Sequence, residues 1–187
     1  MKSLLCLFQA LIAAALLASC SGYRPAPAAF NEAMTQPYRL GAGDKVRVTV
    51  FEQESLTNTY AVDASGSITM PLIGAVSARG LTPAELAAAV TARLKKGYLR
   101  EPYVAAEVET YRPFFILGEV TAPGQYPYVP NLTVESAVAI AGGFTPRAYR
   151  GEILLTRTAS GGAVRVPAPP ATLLKPGDTI VVQERWF

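Results

Sequence analysis

The chain has 187 residues, with 17 lysines and arginines against 14 aspartates and glutamates, a formal charge of +3. That balance is too even to argue for nucleic acid as a partner. The absence of histidine removes the commonest general base and the commonest zinc ligand.

The first residues, MKSLLCLFQALIAAALLASC, have the layout of a secretory signal. Lys2 is the charged start, Leu4 to Leu17 is apolar except for Gln9, and small residues follow at Ala18 and Ser19. The apolar run is shorter than the roughly 20 residues a membrane-spanning helix needs. Leu17-Ala18-Ser19-Cys20 is similar to the bacterial lipobox, in which the cysteine sulfur is lipidated and the signal is cut just before it. Cys20 is therefore the expected lipidation site, and residues 1–19 the removed signal peptide. Ser21 follows the cysteine, and the absence of aspartate there resembles an outer-membrane address. Of the two cysteines, Cys6 would leave with the signal and Cys20 would carry lipid, so no disulfide is expected. Several acyl chains on one residue suffice for stable anchoring.

Residues 20–37 form the lipidated N-terminus and a tether. Its three prolines keep it extended, and residues 21–37 reach at most roughly 60 Å. In YRLGAGDKVRVTVF, Val46, Val48 and Val50 alternate with Lys45, Arg47 and Thr49, which predicts a half-buried strand. YAVDASGSITMPLIG reads as a hairpin, with its turn at Ala64-Ser65-Gly66 and Ile68, Met70 and Leu72 on one face. GLTPAELAAAVTARLKKGY carries the strongest helix pattern. Thr82 is the N-cap, Pro83 is at N1 and Glu85 closes a capping box. Leu86, Val90 and Leu94 share one face, and Gly97 caps the end. YVAAEVE predicts a further strand.

PFFILGEV is a continuous apolar strand, and Pro123-Gly124 suits a type II turn. NLTVESAVAIAGGF predicts a short helix capped by Thr133 and ended by Gly142-Gly143. EILLTR and AVRV make a hairpin across Ser160-Gly161-Gly162, and DTIVVQ is the last strand. LGAGDKVRV at Leu40 echoes LKPGDTIVV at Leu174. The echo places Gly43, Asp44, Gly177 and Asp178 at the mouths of strands, as structural turn residues. Glycine there accepts positive φ, and aspartate bonds nearby backbone amides. Neither aspartate reads as catalytic.

Three stretches, residues 38–94, residues 114–157 and LLKPGDTIVV, together resemble the outer-membrane polysaccharide export protein family. The most specific match is G-x-V-x-x-P-G-x-Y at Gly118 to Tyr126, followed by Ala141-Gly142-Gly143-Phe144. The resemblance implies an α+β fold. Residues 38–110 would be a small export domain of strands with one helix. Residues 111–187 would be one soluble-ligand-binding domain of β-grasp type. It also implies a lipoprotein of the outer membrane, facing the periplasm, that assembles into a ring through which capsular or exopolysaccharide passes. The implied partners are an inner-membrane polysaccharide co-polymerase and the polysaccharide cargo. Longer members continue into an amphipathic pore helix, whereas this sequence ends at Trp186-Phe187. The expectation is therefore that a separate outer-membrane β-barrel completes the channel.

Two rival functions are weaker. A glycosidase needs two carboxylates, but Glu52, Glu54, Asp63, Glu107, Glu109, Glu119 and Glu152 fit solvated strand faces and turns. Gly41-x-Gly43 precedes a strand, so it is no dinucleotide fingerprint, and neither cofactor nor metal is expected. A periplasmic carbohydrate- or ligand-binding lipoprotein without a transport role would use aromatics such as Tyr98, Tyr103, Tyr111, Phe114, Phe115, Tyr126 and Tyr128 to stack on sugars. Core and interface packing accounts for most of these, and no ligand-binding residue is assigned.

Overall fold

The structure is a computed structural model and describes residues 37–159 and 162–186. The expected signal peptide, Cys20, the tether before Pro37, the Ser160-Gly161 part of the last hairpin turn and Phe187 lie outside the described residues.

The fold is α+β, with ten strands and two helices among the described residues, in the order β1 (Lys45–Val50), β2 (Asn58–Ala61), β3 (Ser67–Met70), β4 (Gly74–Ser77), α1 (Pro83–Leu94), β5 (Val104–Thr110), β6 (Phe114–Gly118), β7 (Gly124–Tyr126), α2 (Val134–Ile140), β8 (Ala148–Ala159), β9 (Gly162–Ala168) and β10 (Thr179–Glu184). Two hydrophobic cores follow one another along the chain. The first joins Val46, Val48 and Val50 of β1 to Ile68, Met70 and Val76, under Leu86, Val90 and Leu94 of α1. Thr82 and Glu85 form the capping box of α1, with Pro83 in its first turn. These bonds satisfy amide donors that a helix start leaves unpaired. Arg93 stands in the last turn of α1. Its guanidinium donates to the carbonyls of Ile73 and Ala75, tying α1 to the turn and strand beneath it.

The second core lies between one face of a five-stranded mixed sheet, ordered β7-β6-β10-β8-β9, and α2. Phe114, Ile116, Ile153, Leu155, Ile180 and Val182 face Val134, Ala137 and Val138. Thr133 caps α2, and Gly142 and Gly143 end it at positive φ.

Three expectations are corrected. The turn at Asp63–Gly66 forms, but β2 and β3 do not pair. β2 joins β1 and β5 in one sheet, while β3 pairs with β4 in another. Each strand finds a longer-range or later partner that completes the core beneath α1. Leu72 does not share the buried face of Ile68 and Met70. It sits in the β3–β4 turn at φ 66, 59% exposed. Gly124 lacks the positive φ that a type II turn demands. It opens β7 instead, opposite Ile116.

Candidate functional site: a polar clamp between the two cores

The echoed turns adopt the same local geometry. Gly43 and Gly177 have φ of 93° and 86°. The backbone N–H of Gly41 donates to Asp44 Oδ2 at 2.8 Å, and that of Lys175 donates to Asp178 Oδ2 at 2.7 Å. Leu40 and Leu174, each one residue before that donor, are buried in the first and second cores. Glycine makes the left-handed step without strain, and the carboxylate satisfies an amide the turn would leave unpaired.

Each buried aspartate has an arginine partner that the sequence reading did not single out. Asp178 receives Arg157 Nε at 2.9 Å and Nη2 at 2.7 Å, and the same Nη2 donates to the carbonyl of Leu173. Arg157 was legible only as a cation two residues beyond Leu155, on the inward register of β8. All of these groups belong to the second core's sheet and its preceding turn. Burial, with Arg157 beside it, holds the neighbouring Lys175 ammonium below the usual lysine range.

Asp44 is wired differently. Its Oδ1 accepts the backbone N–H of Arg112 at 2.8 Å. Its Oδ2 accepts the Tyr38 hydroxyl at 2.6 Å and Arg112 Nη1 at 3.1 Å. Arg112 lies between β5 and β6, at the passage from one core to the other. Its Nε reaches the carbonyl of Pro176 at 3.1 Å, in the second echoed turn, and the Gly177 N–H donates to the Pro113 carbonyl at 3.0 Å. One guanidinium therefore links both turns. It fits because glycines stand where it passes each turn. A Cβ at Gly41 would collide with the guanidinium, and one at Gly177 would stand 2.9 Å from Arg112 Nε. Aromatic edges extend the link. Tyr111 meets Tyr38 edge-on at 4.9 Å and Tyr128 at 5.5 Å, and Tyr128 packs against the second core.

Burial, then the hydrogen bond to Asp44, pushes the Tyr38 phenol well above its ordinary range. A raised pKa contributes stability that is fully present below the unfolded value of 10.0 and is lost as pH rises above it, because only the unfolded chain then gains from ionising. Tyr38→Phe lowers stability at neutral pH by losing a hydrogen bond. The same variant is expected to flatten the decline above about pH 10, as read by urea unfolding across the alkaline range. An unchanged slope would refute this account of the clamp.

The aromatics proposed as sugar platforms divide into two groups. Tyr111 and Tyr128 are held in the junction, while Phe114 is buried and Tyr126 stacks on it at 6.0 Å. Tyr98, Tyr103 and Phe115 are exposed. Among the described residues, no group of three or more His, Cys, Asp or Glu is placed to hold a metal ion, and no helix is long and apolar enough to cross a membrane.

Two consecutive cores, each with a glycine–aspartate turn leading into one of its strands and joined through one arginine, define a modular α+β chain. The family described as polysaccharide biosynthesis/export protein matches residues 32–109, and the SLBB domain matches residues 113–168. Arg112 falls between the two matched stretches. The exopolysaccharide production protein ExoF of Rhizobium meliloti is 38% identical over 132 residues, covering 64% of this chain and 31% of its own. The EPS I polysaccharide export outer membrane protein EpsA of Ralstonia nicotianae is 26% identical, over 82% of this chain and 49% of its own. The polysialic acid transport protein KpsD of Escherichia coli is 28% identical, over 68% and 23%. The chain thus spans less than half the length of each of these relatives. It belongs to the polysaccharide export protein family.

Proposed function

We propose that this protein is an outer-membrane lipoprotein of a capsule or exopolysaccharide export system. In this reading it is anchored through Cys20, faces the periplasm, and forms a ring through which polymer is translocated. The observation that carries the reading is the succession of the export match and the SLBB match along one chain, in relatives named for exopolysaccharide production or polysaccharide export. The Arg112 clamp supports the ring. A closed ring needs every subunit to present its surfaces at one fixed angle, and the clamp ties the two cores together. The partners in this reading are an inner-membrane polysaccharide co-polymerase, the polymer and a separate outer-membrane β-barrel.

The test is deletion of the gene, followed by complementation with wild type or with Cys20→Ala. Surface polysaccharide should vanish on deletion and return with wild type. With Cys20→Ala it should stay absent while the protein leaves the membrane fraction. Full export in the deletion strain would overturn the reading. A monomeric lipidated protein under the electron microscope would overturn the ring.

A further inference from the structure

A second feature lies at the far end of the first sheet, away from the clamp. β1 and β5 run antiparallel, with Thr49 opposite Ala105 and Val50 opposite Val104. The valines belong to or pack on the core side. One step further, the Phe51 N–H donates to the Tyr103 carbonyl at 3.0 Å, so the two aromatics end the ladder side by side. Phe51 is 65% exposed and Tyr103 is 75% exposed. Among the described residues, neither ring has an aromatic partner. The small residues Thr49 and Ala105 precede and follow them on the same face.

A cleft of about 460 Å³ opens on the Phe51 side of this pair, lined by residues 49–54 and Thr57, with Tyr103 next to Phe51 but outside the lining. Its backbone is rigidly held. Thr57 Oγ1 accepts the Val50 N–H at 2.9 Å and donates to the carbonyls of Val50 and Gln53, while Leu56 is buried beneath the turn. Among the described residues, no hydrogen bond or ion pair engages the side chains of Glu52, Gln53 or Glu54. Glu52 sits at φ 58, a conformation that favours glycine. Backbone preference therefore does not account for a carboxylate at that position.

We infer that this cleft is a contact site for a neutral hexopyranose segment of a polysaccharide. The inference rests on the export reading given above for the source of the ligand. A pyranose carries C–H bonds on its faces and hydroxyls round its rim. Phe51 in the cleft wall and Tyr103 beside it supply apolar faces for the former, at low entropic cost because aromatic side chains have few rotatable bonds. Glu52, Glu54 and Gln53 supply acceptors and an amide for the latter, and carboxylate–hydroxyl bonds are the stronger kind. This combination, a mostly apolar concavity with a few convergent polar groups on a rigid frame, is that of small-ligand sites in general. Two carboxylates at the rim select by charge. A uronate- or sulfate-bearing segment would meet like charge, as would an anionic lipid surface, and like charges in contact are costly.

The test uses the full lipidated protein in detergent, with malto- and cellohexaose as neutral probes and oligogalacturonate as the anionic one. Wild type should bind at least one neutral probe and discriminate against oligogalacturonate. Phe51→Ala with Tyr103→Ala should weaken the neutral affinity at least tenfold, with thermal midpoint and oligomeric mass unchanged because both side chains are exposed. Glu52→Gln with Glu54→Gln should narrow the discrimination against oligogalacturonate. No neutral binding by wild type, unchanged affinity in the aromatic double variant, or a changed oligomeric mass would each overturn the inference. The last of these would mark the aromatics as a contact between copies. Complementation separates this inference from the export reading. If wild type restores export and the aromatic double variant binds neutral probes normally, only the saccharide site falls. If deletion leaves export intact, the export reading falls whatever the binding shows.

Discussion

Asp44→Ala is expected to lose about 3–5 kcal/mol of folding stability, the range seen when one partner of a buried ion pair is removed. The carboxylate is fully buried. It accepts from the amides of Gly41 and Arg112, the Tyr38 hydroxyl and Arg112 Nη1. Alanine leaves four donors without that acceptor, one of them on a cation whose side chain is only 29% exposed. Arg112→Ala removes the same ion pair from the other side and also frees the Pro176 carbonyl. It should therefore loosen the connection as well as weaken the first core. The expected signature is a split urea transition, with the two cores unfolding at different midpoints, where wild type unfolds in one step. A loss below about 1 kcal/mol for Asp44→Ala would place it among ordinary surface changes and remove the clamp as an organising feature.

How much of this was legible varies with the range of the interactions. α1 was read correctly because its determinants lie within thirteen residues: Thr82, Pro83 and Glu85 at its start, and Leu86, Val90 and Leu94 on one face. The β8–β9 hairpin was legible for the same reason. The β2–β3 hairpin was read wrongly although its turn was right, because a turn does not choose the ladder partner. Asn58–Ala61 instead pairs back onto β1, which is covered on one face by the core and needs a neighbour on each edge. The glycine–aspartate echo was visible as a repeat of turn chemistry. What it could not disclose was the arginine. Arg112 is 68 residues from Asp44 and 64 from Pro176, and it sits outside any periodic segment. Only the meeting of the two turns gives it a role. The Phe51–Tyr103 pair was hidden in a related way. Tyr103 was one aromatic among several, and its neighbour arrives from a strand about fifty positions earlier, across the β1–β5 ladder.

The second echoed turn yields the other large prediction. Asp178→Asn keeps an oxygen for the Lys175 N–H but removes the charge that faces Arg157, whose side chain is 20% exposed. The loss expected is about 3 kcal/mol, because a largely buried guanidinium loses the carboxylate that faces it. If the lost charge pairing is the cause, removing the guanidinium as well should restore stability. Asp178→Asn combined with Arg157→Met keeps the turn bond and replaces the charged fork by an apolar side chain of similar length. Arg157 lies on the inward register of β8, two residues from the buried Leu155, the side of the strand that faces the core. The double variant should recover at least about 1 kcal/mol over Asp178→Asn alone, as buried ion pairs replaced by packed apolar groups do. Asp178→Ala with Arg157→Met should recover less, since alanine also abandons the Lys175 amide. Guanidinium unfolding of the four proteins gives the comparison directly. Asp178→Asn melting together with its double variant would show that the pair's charge is immaterial, and that the turn bond alone explains why an aspartate stands there.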